Sequence, residues 1–295
     1  MFSLCCAVAF SVLLWLIPNT ATLHAEELRW GAVPIPGMFN LRDGEVTGGM
    51  LVEALQLLAA RLPSLQMRYV VLPMSRVDQR ISRKGKICSI GQLQTPERDS
   101  AGYFIPYVGG MPIQVLVRRQ SLDQLLIEGG QVSLDWLFAN PYLRGALSKG
   151  RVYPQPIRQR LAQALAEGSI AELGGSLGGE NLVRMVSNHR LDYVFDYPLI
   201  HSEMMRDANL SDALVSVPLR EHSQLEALGI YCPRTPWGQR MTGLLDQAIR
   251  GESANPERTL DIYRRWLPPQ VFADYREQLL QFFRQRANAA PLAFD

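Results

Sequence analysis

From residue 28 to residue 90 the chain alternates β-rich and helix-periodic segments, and no other feature restricts its fold as tightly. Residues 28–33 read as a strand, closed by the loop Pro34-Ile35-Pro36-Gly37. Over 49–62, Leu51, Ala54, Leu55, Leu58 and Leu62 recur at helical spacing, and Pro63 ends the run. Residues 67–72 are β-rich, 75–81 open a helix with Ser75 as a cap, and 87–90 form a short apolar strand. Strand, helix, strand, helix, strand predicts an α/β unit built on a mostly parallel sheet with right-handed crossovers.

Residues 1–25 carry no Lys, Arg, Asp or Glu, and 7–17 are continuously apolar up to Pro18. That run is shorter than the roughly 20 apolar residues of a membrane-spanning helix. It reads as an export signal cleaved after Ala25, which predicts a periplasmic protein, with an uncleaved anchor as the alternative. About 270 residues follow, enough for one large domain or two lobes. A net charge of +2, without a basic tract interleaved with aromatics, argues against a nucleic-acid partner. Cys5 and Cys6 leave with the leader. In an oxidising compartment the remaining Cys88 and Cys232 favour a disulfide over a metal or catalytic site. Such a bridge returns the chain near 232 to the region near 88.

In parallel sheets ligands bind beyond the carboxyl ends of the strands. The segment 91–98 leaves the strand at 87–90 at such an end. Thr95 is a capping hydroxyl and Pro96 occupies the first helical position, so Arg98 sits on a stiff turn where a ligand would lie. Its planar, permanently charged fork matches a carboxylate. The alternative is a surface arginine paired with Glu97 or Asp99.

The order Gly91, Thr95-Pro96-Glu97-Arg98 and Tyr103-Phe104-Ile105-Pro106-Tyr107 resembles the family 3 extracellular solute-binding proteins, the periplasmic amino-acid receptors of ABC importers. Residues 190–196 and 262–266 are similar to two further motifs of that family, in the same order. Cys88 and the segment 232–238 resemble an uncharacterised branch of it. The resemblance implies a two-lobed type 2 periplasmic binding fold, each lobe a mostly parallel sheet flanked by helices, with two crossover strands as the hinge. The first lobe would take 26–119 and 218–295, and the second 120–217.

Carried over, the family's roles assign Arg98 to a ligand carboxylate and Asp196 to its ammonium. Gly91, Arg76, Tyr107 and Tyr153 become further candidates for the cleft. A zwitterion bridged by both lobes stabilises only their closed arrangement. For Asp196 the alternative is a cap on a helix at 197–205. The match departs from the family where Ile105 replaces a serine, Leu93 replaces a hydroxyl, and the loop 33–40 carries no acid. The ammonium cage is therefore incomplete, and Arg76 beside Arg98 would suit a ligand with two anionic groups.

The implied protein is a monomer that traps a small polar, carboxylate-bearing solute, without cofactor, metal or chemistry, for an ABC permease or a membrane sensor. The competing readings are a dehydratase-like enzyme using Glu180 or Asp196, and an interaction module with a degenerate cleft. The glycine run at 174–179 reads as a flexible turn rather than a phosphate loop, His201 as a surface partner of Glu203, and the tail 287–295 as a fraying end.

Overall fold

The computed structural model describes residues 25–174, 179–205 and 214–294. The expected export signal, the centre of the glycine run at 174–179 and Asp295 lie outside the described residues. The chain opens with β1 (Glu26–Ala32), the hairpin β2 (Asn40–Arg42) and β3 (Glu45–Gly48), α1 (Met50–Arg61), β4 (Leu65–Val71), α2 (Met74–Ser82), β5 (Cys88–Leu93), α3 (Pro96–Ala101) and β6 (Gly102–Gly110). After a crossing come β7 (Gln114–Arg118), a 3-10 turn, the hairpin β8 (Ile127–Glu128) and β9 (Gln131–Val132), α4 (Leu134–Ala139), β10 (Gly145–Ser148) and α5 (Gln155–Ala166). They are followed by β11 (Ala171–Leu173), α6 (Glu180–Ser187), β12 (Tyr193–Asp196), α7 (Pro198–Met205) and β13 (Leu214–Pro218). The chain then recrosses into β14 (Glu226–Pro233), α8 (Pro236–Ser253), α9 (Glu257–Trp266) and α10 (Pro269–Ala287).

These strands form two five-stranded sheets with one repeated plan, β4-β1-β5-β14-β6 and β11-β10-β12-β7-β13. In each, three strands run parallel, the fourth place is taken by the strand arriving from the other lobe, and the fifth by the strand that leaves. The sequence ends the first lobe at 119, but β7 pairs with β12 and β13 and so belongs to the second sheet. The crossings are therefore 111–113 and 219–225. One cap also differs: Pro73, not Ser75, precedes the first turn of α2.

Each sheet is buried on both faces. Leu28 and Trp30 of β1 pack with Leu55 and Leu58 of α1, one turn apart on the helix, while Val77 and Ile81 of α2 cover the opposite face with Tyr231. In β7, Val115 and Val117 enter one cluster and Leu116 the other, the two-residue alternation of a strand between two helical layers. Helices α9 and α10 add a third layer, centred on Tyr263 and Phe283, beside the first lobe. The expected fraying of the tail is not observed. Buried Arg286 pairs with Asp246, the Leu292 N–H donates to the same carboxylate at 3.4 Å, and Phe294 meets Tyr103 edge-on at 5.2 Å. The tail is held because it completes the partners of a buried acid.

Cys88 on β5 and Cys232 on β14 are disulfide-bonded across a sequence separation of 144, with Cα atoms 4.4 Å apart. A loop of that length contributes about 5 kcal/mol in the chain-entropy limit. Replacing both cysteines by serine should lower the unfolding free energy of the chain from Glu26 onward, read from its urea midpoint and slope, by an amount approaching that figure. An unchanged midpoint would mean that the bridge restrains nothing the sheet does not already hold.

His201 is not the expected surface partner of Glu203. It lies buried inside the second lobe, with Nδ1 3.2 Å from the Ser216 hydroxyl. Burial lowers its pKa from 6.5 to about 4. Below pH 6.5 the unfolded chain takes up a proton that the native imidazole refuses, so stability present above 6.5 is lost as the pH falls toward 4. The loss is at most about 3 kcal/mol. Urea midpoints of His201→Asn between pH 7 and 4.5 should show a shallower acid decline than the parent; parallel curves would assign the decline to other groups.

Candidate functional site

The carboxyl ends of the parallel strands of both sheets face each other across a cleft. From the first lobe come the loop after β1 and the turn after β5; from the second, the loop after β10 and the start of α7. Val33, Ile35, Met38, Leu93, Gly150, Tyr197, Ile200 and Leu228 enclose a chamber of about 130 Å3 together with Gln92, Arg98 and Arg151. A larger, open groove of about 590 Å3 at its mouth is lined by Asp78, Thr95, Glu97, Arg98, Val152 and Arg158. Val152 is 48% exposed there, an apolar side chain presented to the cleft from the second lobe. Among the described residues no group of three or more His, Cys, Asp or Glu is arranged to hold a metal ion.

The turn carrying Arg98 forms as its sequence dictates. Thr95 caps α3 by accepting the Arg98 N–H at 3.3 Å, and Pro96 opens the helix. The guanidinium donates to both oxygens of Asp78 at 3.3 and 3.4 Å and to the Leu93 carbonyl at 3.2 Å. Its partner is thus Asp78, twenty residues earlier on α2, and neither Glu97 nor Asp99. Asp99 instead accepts the Tyr231 hydroxyl at 2.6 Å. The side chains of Arg98 and Asp78 are 18% and 40% exposed, and the bonds are long for a charged pair. Such a pair contributes little to stability and exchanges partners readily.

Asp196 ends β12 in a different state. Oδ1 accepts Arg151 Nη1 at 2.9 Å and the Tyr197 N–H at 2.7 Å, and the side chains of Arg151 and Asp196 are 8% and 2% exposed. The guanidinium also lies over the Tyr197 ring, 5.8 Å from its centroid. Burial pushes the Asp196 carboxyl upward, while Arg151 and the Tyr197 N–H oppose that push. Gly179, at φ +75°, lies against this pair: a Cβ there would stand 2.8 Å from Asp196 Oδ2 and 2.9 Å from Arg151 Nη2. The close approach of the backbone requires glycine. Arg151 was missed as a site residue. Its signal was a basic residue just beyond a short apolar segment, GALS, that is the strand β10.

Gly91 lines the chamber at φ +75°, where a side chain would be strained and would meet Leu51 at 2.8 Å. The other candidates lie elsewhere. Tyr107 is 1% exposed and donates its hydroxyl to Ala54 O at 2.8 Å, so its ring belongs to the first-lobe core, not the cleft wall. Tyr153 is buried in the second-lobe core, its hydroxyl accepting the Ser148 N–H at 2.9 Å. Arg76 is exposed, bonded to Gln79 at 3.0 Å, and faces outward beside Arg80 and Arg83, away from Arg98. For Tyr107 and Arg76 strand and helical phase turn the side chain away from the cleft, while Tyr153, in the loop between β10 and α5, is drawn into the core beside Ile157 and Leu161.

The lobes also touch directly. Leu199 of α7 packs into the first-lobe cluster around Met50, Leu260 and Leu267. Asn40 Nδ2 donates to Glu203 Oε1 at 2.8 Å, while Asn40 Oδ1 accepts the Gly37 N–H at 2.8 Å.

No protein-family model and no curated protein sequence matches the chain. Solved structures do. One, described as a basis of glutathione import via GshT and the cystine ABC importer TcyBC of Streptococcus mutans, is 11% identical with a TM-score of 0.64, over 82% of this chain and 97% of that one. A histidine kinase sensor domain with similarity to periplasmic binding proteins is 14% identical at TM-score 0.61, over 83% and 97%. An ancestral amino acid-binding protein, AncCDT-1, described as a precursor of cyclohexadienyl dehydratase, is 16% identical at 0.61, over 82% and 96%. The repeated sheet plan, the double crossing and these likenesses show that the chain has the two-lobed fold of type 2 periplasmic binding proteins.

Proposed function

We propose that this protein is an exported receptor that traps a small carboxylate-bearing solute between its lobes. It delivers the solute to an ABC importer or reports it to a membrane sensor. One observation carries this reading: Arg98 is fixed on a capped turn at the cleft, and its only side-chain partner among the described residues is a partly exposed Asp78, at long bonds, beside the Leu93 carbonyl. A ligand carboxylate can replace Asp78 as the partner of the fork, and the lobes closing around it would exclude water and strengthen that contact. The structural relatives are described as importer components, a sensor domain and amino acid-binding proteins, which supports solute binding without distinguishing its readouts. Among the described residues no helix is long and apolar enough to cross a membrane. Of the two candidate acids for a dehydratase, Glu180 and Asp196, the second is buried in an ion pair with Arg151, which favours binding over proton transfer by that group.

A thermal-shift screen of the chain from Glu26 onward against mono-, di- and tricarboxylates tests this. A ligand at 100 times its dissociation constant adds about 2.7 kcal/mol of stability. Arg98→Gln should abolish the shift. Asp78→Asn, which removes the internal competitor, should tighten binding by up to about fivefold, the scale of a partly exposed ion pair. Binding indifferent to both substitutions would remove Arg98 from the site.

A further inference from the structure

We propose that the cleft selects a carboxylate with an apolar body and no ammonium group over a zwitterionic α-amino acid. This rests on Arg98 as the carboxylate anchor and names the other end of the ligand. The acid available to receive an ammonium, Asp196, is already engaged. Arg151 and the Tyr197 N–H hold Oδ1, the Gly179 backbone lies against Oδ2, and the side chain is almost wholly buried. The polar side chains lining the chamber are Gln92, Arg98 and Arg151, besides the Tyr197 phenol; among the described residues none of its lining groups is a carboxylate.

An ammonium inside this chamber would lose its water and find no acid among the chamber's lining groups, since Asp78 and Glu97 lie in the groove at its mouth, and is disfavoured there. A methyl, branched or ring-bearing body has the opposite balance. Val33, Ile35, Met38, Leu93 and Ile200 offer it apolar contact. Behind them, a cavity of about 40 Å3 bounded by Leu51, Leu199 and Leu267 shares Met38, Gly91, Tyr197 and Leu228 with the chamber, extending the apolar space away from Arg98. Met38, unbranched and polarizable, lies on both cavities and can reshape the boundary between them. The ligand this arrangement fits has one anionic end at Arg98 and an apolar end directed inward.

The test is calorimetric titration of the chain from Glu26 onward with matched pairs that differ by the amino group: 4-methylpentanoate against L-leucine, 3-phenylpropanoate against L-phenylalanine, and 4-(methylthio)butanoate against L-methionine. The ammonium-free member of at least one pair should bind at least about tenfold tighter, the penalty expected for an unpaired polar group in an apolar site. Arg98→Gln should remove that binding. Equal or tighter binding of the amino acids, still lost in Arg98→Gln, overturns this inference and leaves the carboxylate anchor standing. Binding of either class that survives Arg98→Gln, or no binding of any member, overturns the anchor and this inference together.

Discussion

The return of the chain into the middle of the first sheet is the constraint on which the rest of the structure depends. β14 lies between β5 and β6, antiparallel to both, and Cys232 on it is bonded to Cys88. The whole second lobe is an excursion between β6, which leaves, and β14, which comes back beside it. Pairing the two places both crossings side by side, which permits the lobes to move as bodies about a short double connection. The entropy of closing so long an excursion opposes that pairing in the unfolded chain, and the disulfide removes much of the opposition. α8 follows β14 directly and packs on the first sheet, α9 and α10 lie beside it, and the terminal segment is tied to Asp246.

Each lobe carries an arginine–aspartate pair beside the cleft, yet the two pairs are physically unlike. Arg151 and Asp196 are desolvated, at 2.9 Å, beneath a glycine backbone; removing either would strand a buried charge. Arg98 and Asp78 are partly solvated and loosely joined, so either can take another partner. The structural pair belongs to the second lobe and the exchangeable pair to the first.

Much of this was legible in the residues. The alternation over 28–90 yielded the parallel core of the first sheet, Thr95-Pro96 the turn under Arg98, and the two cysteines the return of β14. What escaped was tertiary. Asp78 lies twenty positions from Arg98, and only the packing of α2 beside α3 makes them neighbours. Asp196 looked available because its partner, Arg151, follows a four-residue strand too short to show a period. Tyr107 and Arg76 were misplaced because proximity in sequence to the cleft does not fix the phase of a side chain on its element. His201 and Glu203, two apart on α7, face opposite ways for the same reason: one enters the core, and the other reaches Asn40 of the first lobe.

The seating of Leu199 in the first-lobe cluster, with the Asn40–Glu203 bond beside it, stabilises the closed form through contacts that no solute supplies. On the proposed function, a ligand would then need less differential affinity for that form to complete the transition, and a fraction of the unliganded protein would already be closed. Closure would then be an imperfect report of occupancy. An importer reading closure alone would meet empty receptors competing with loaded ones, and a sensor reading it would carry a basal output. The strength of this latch sets that background.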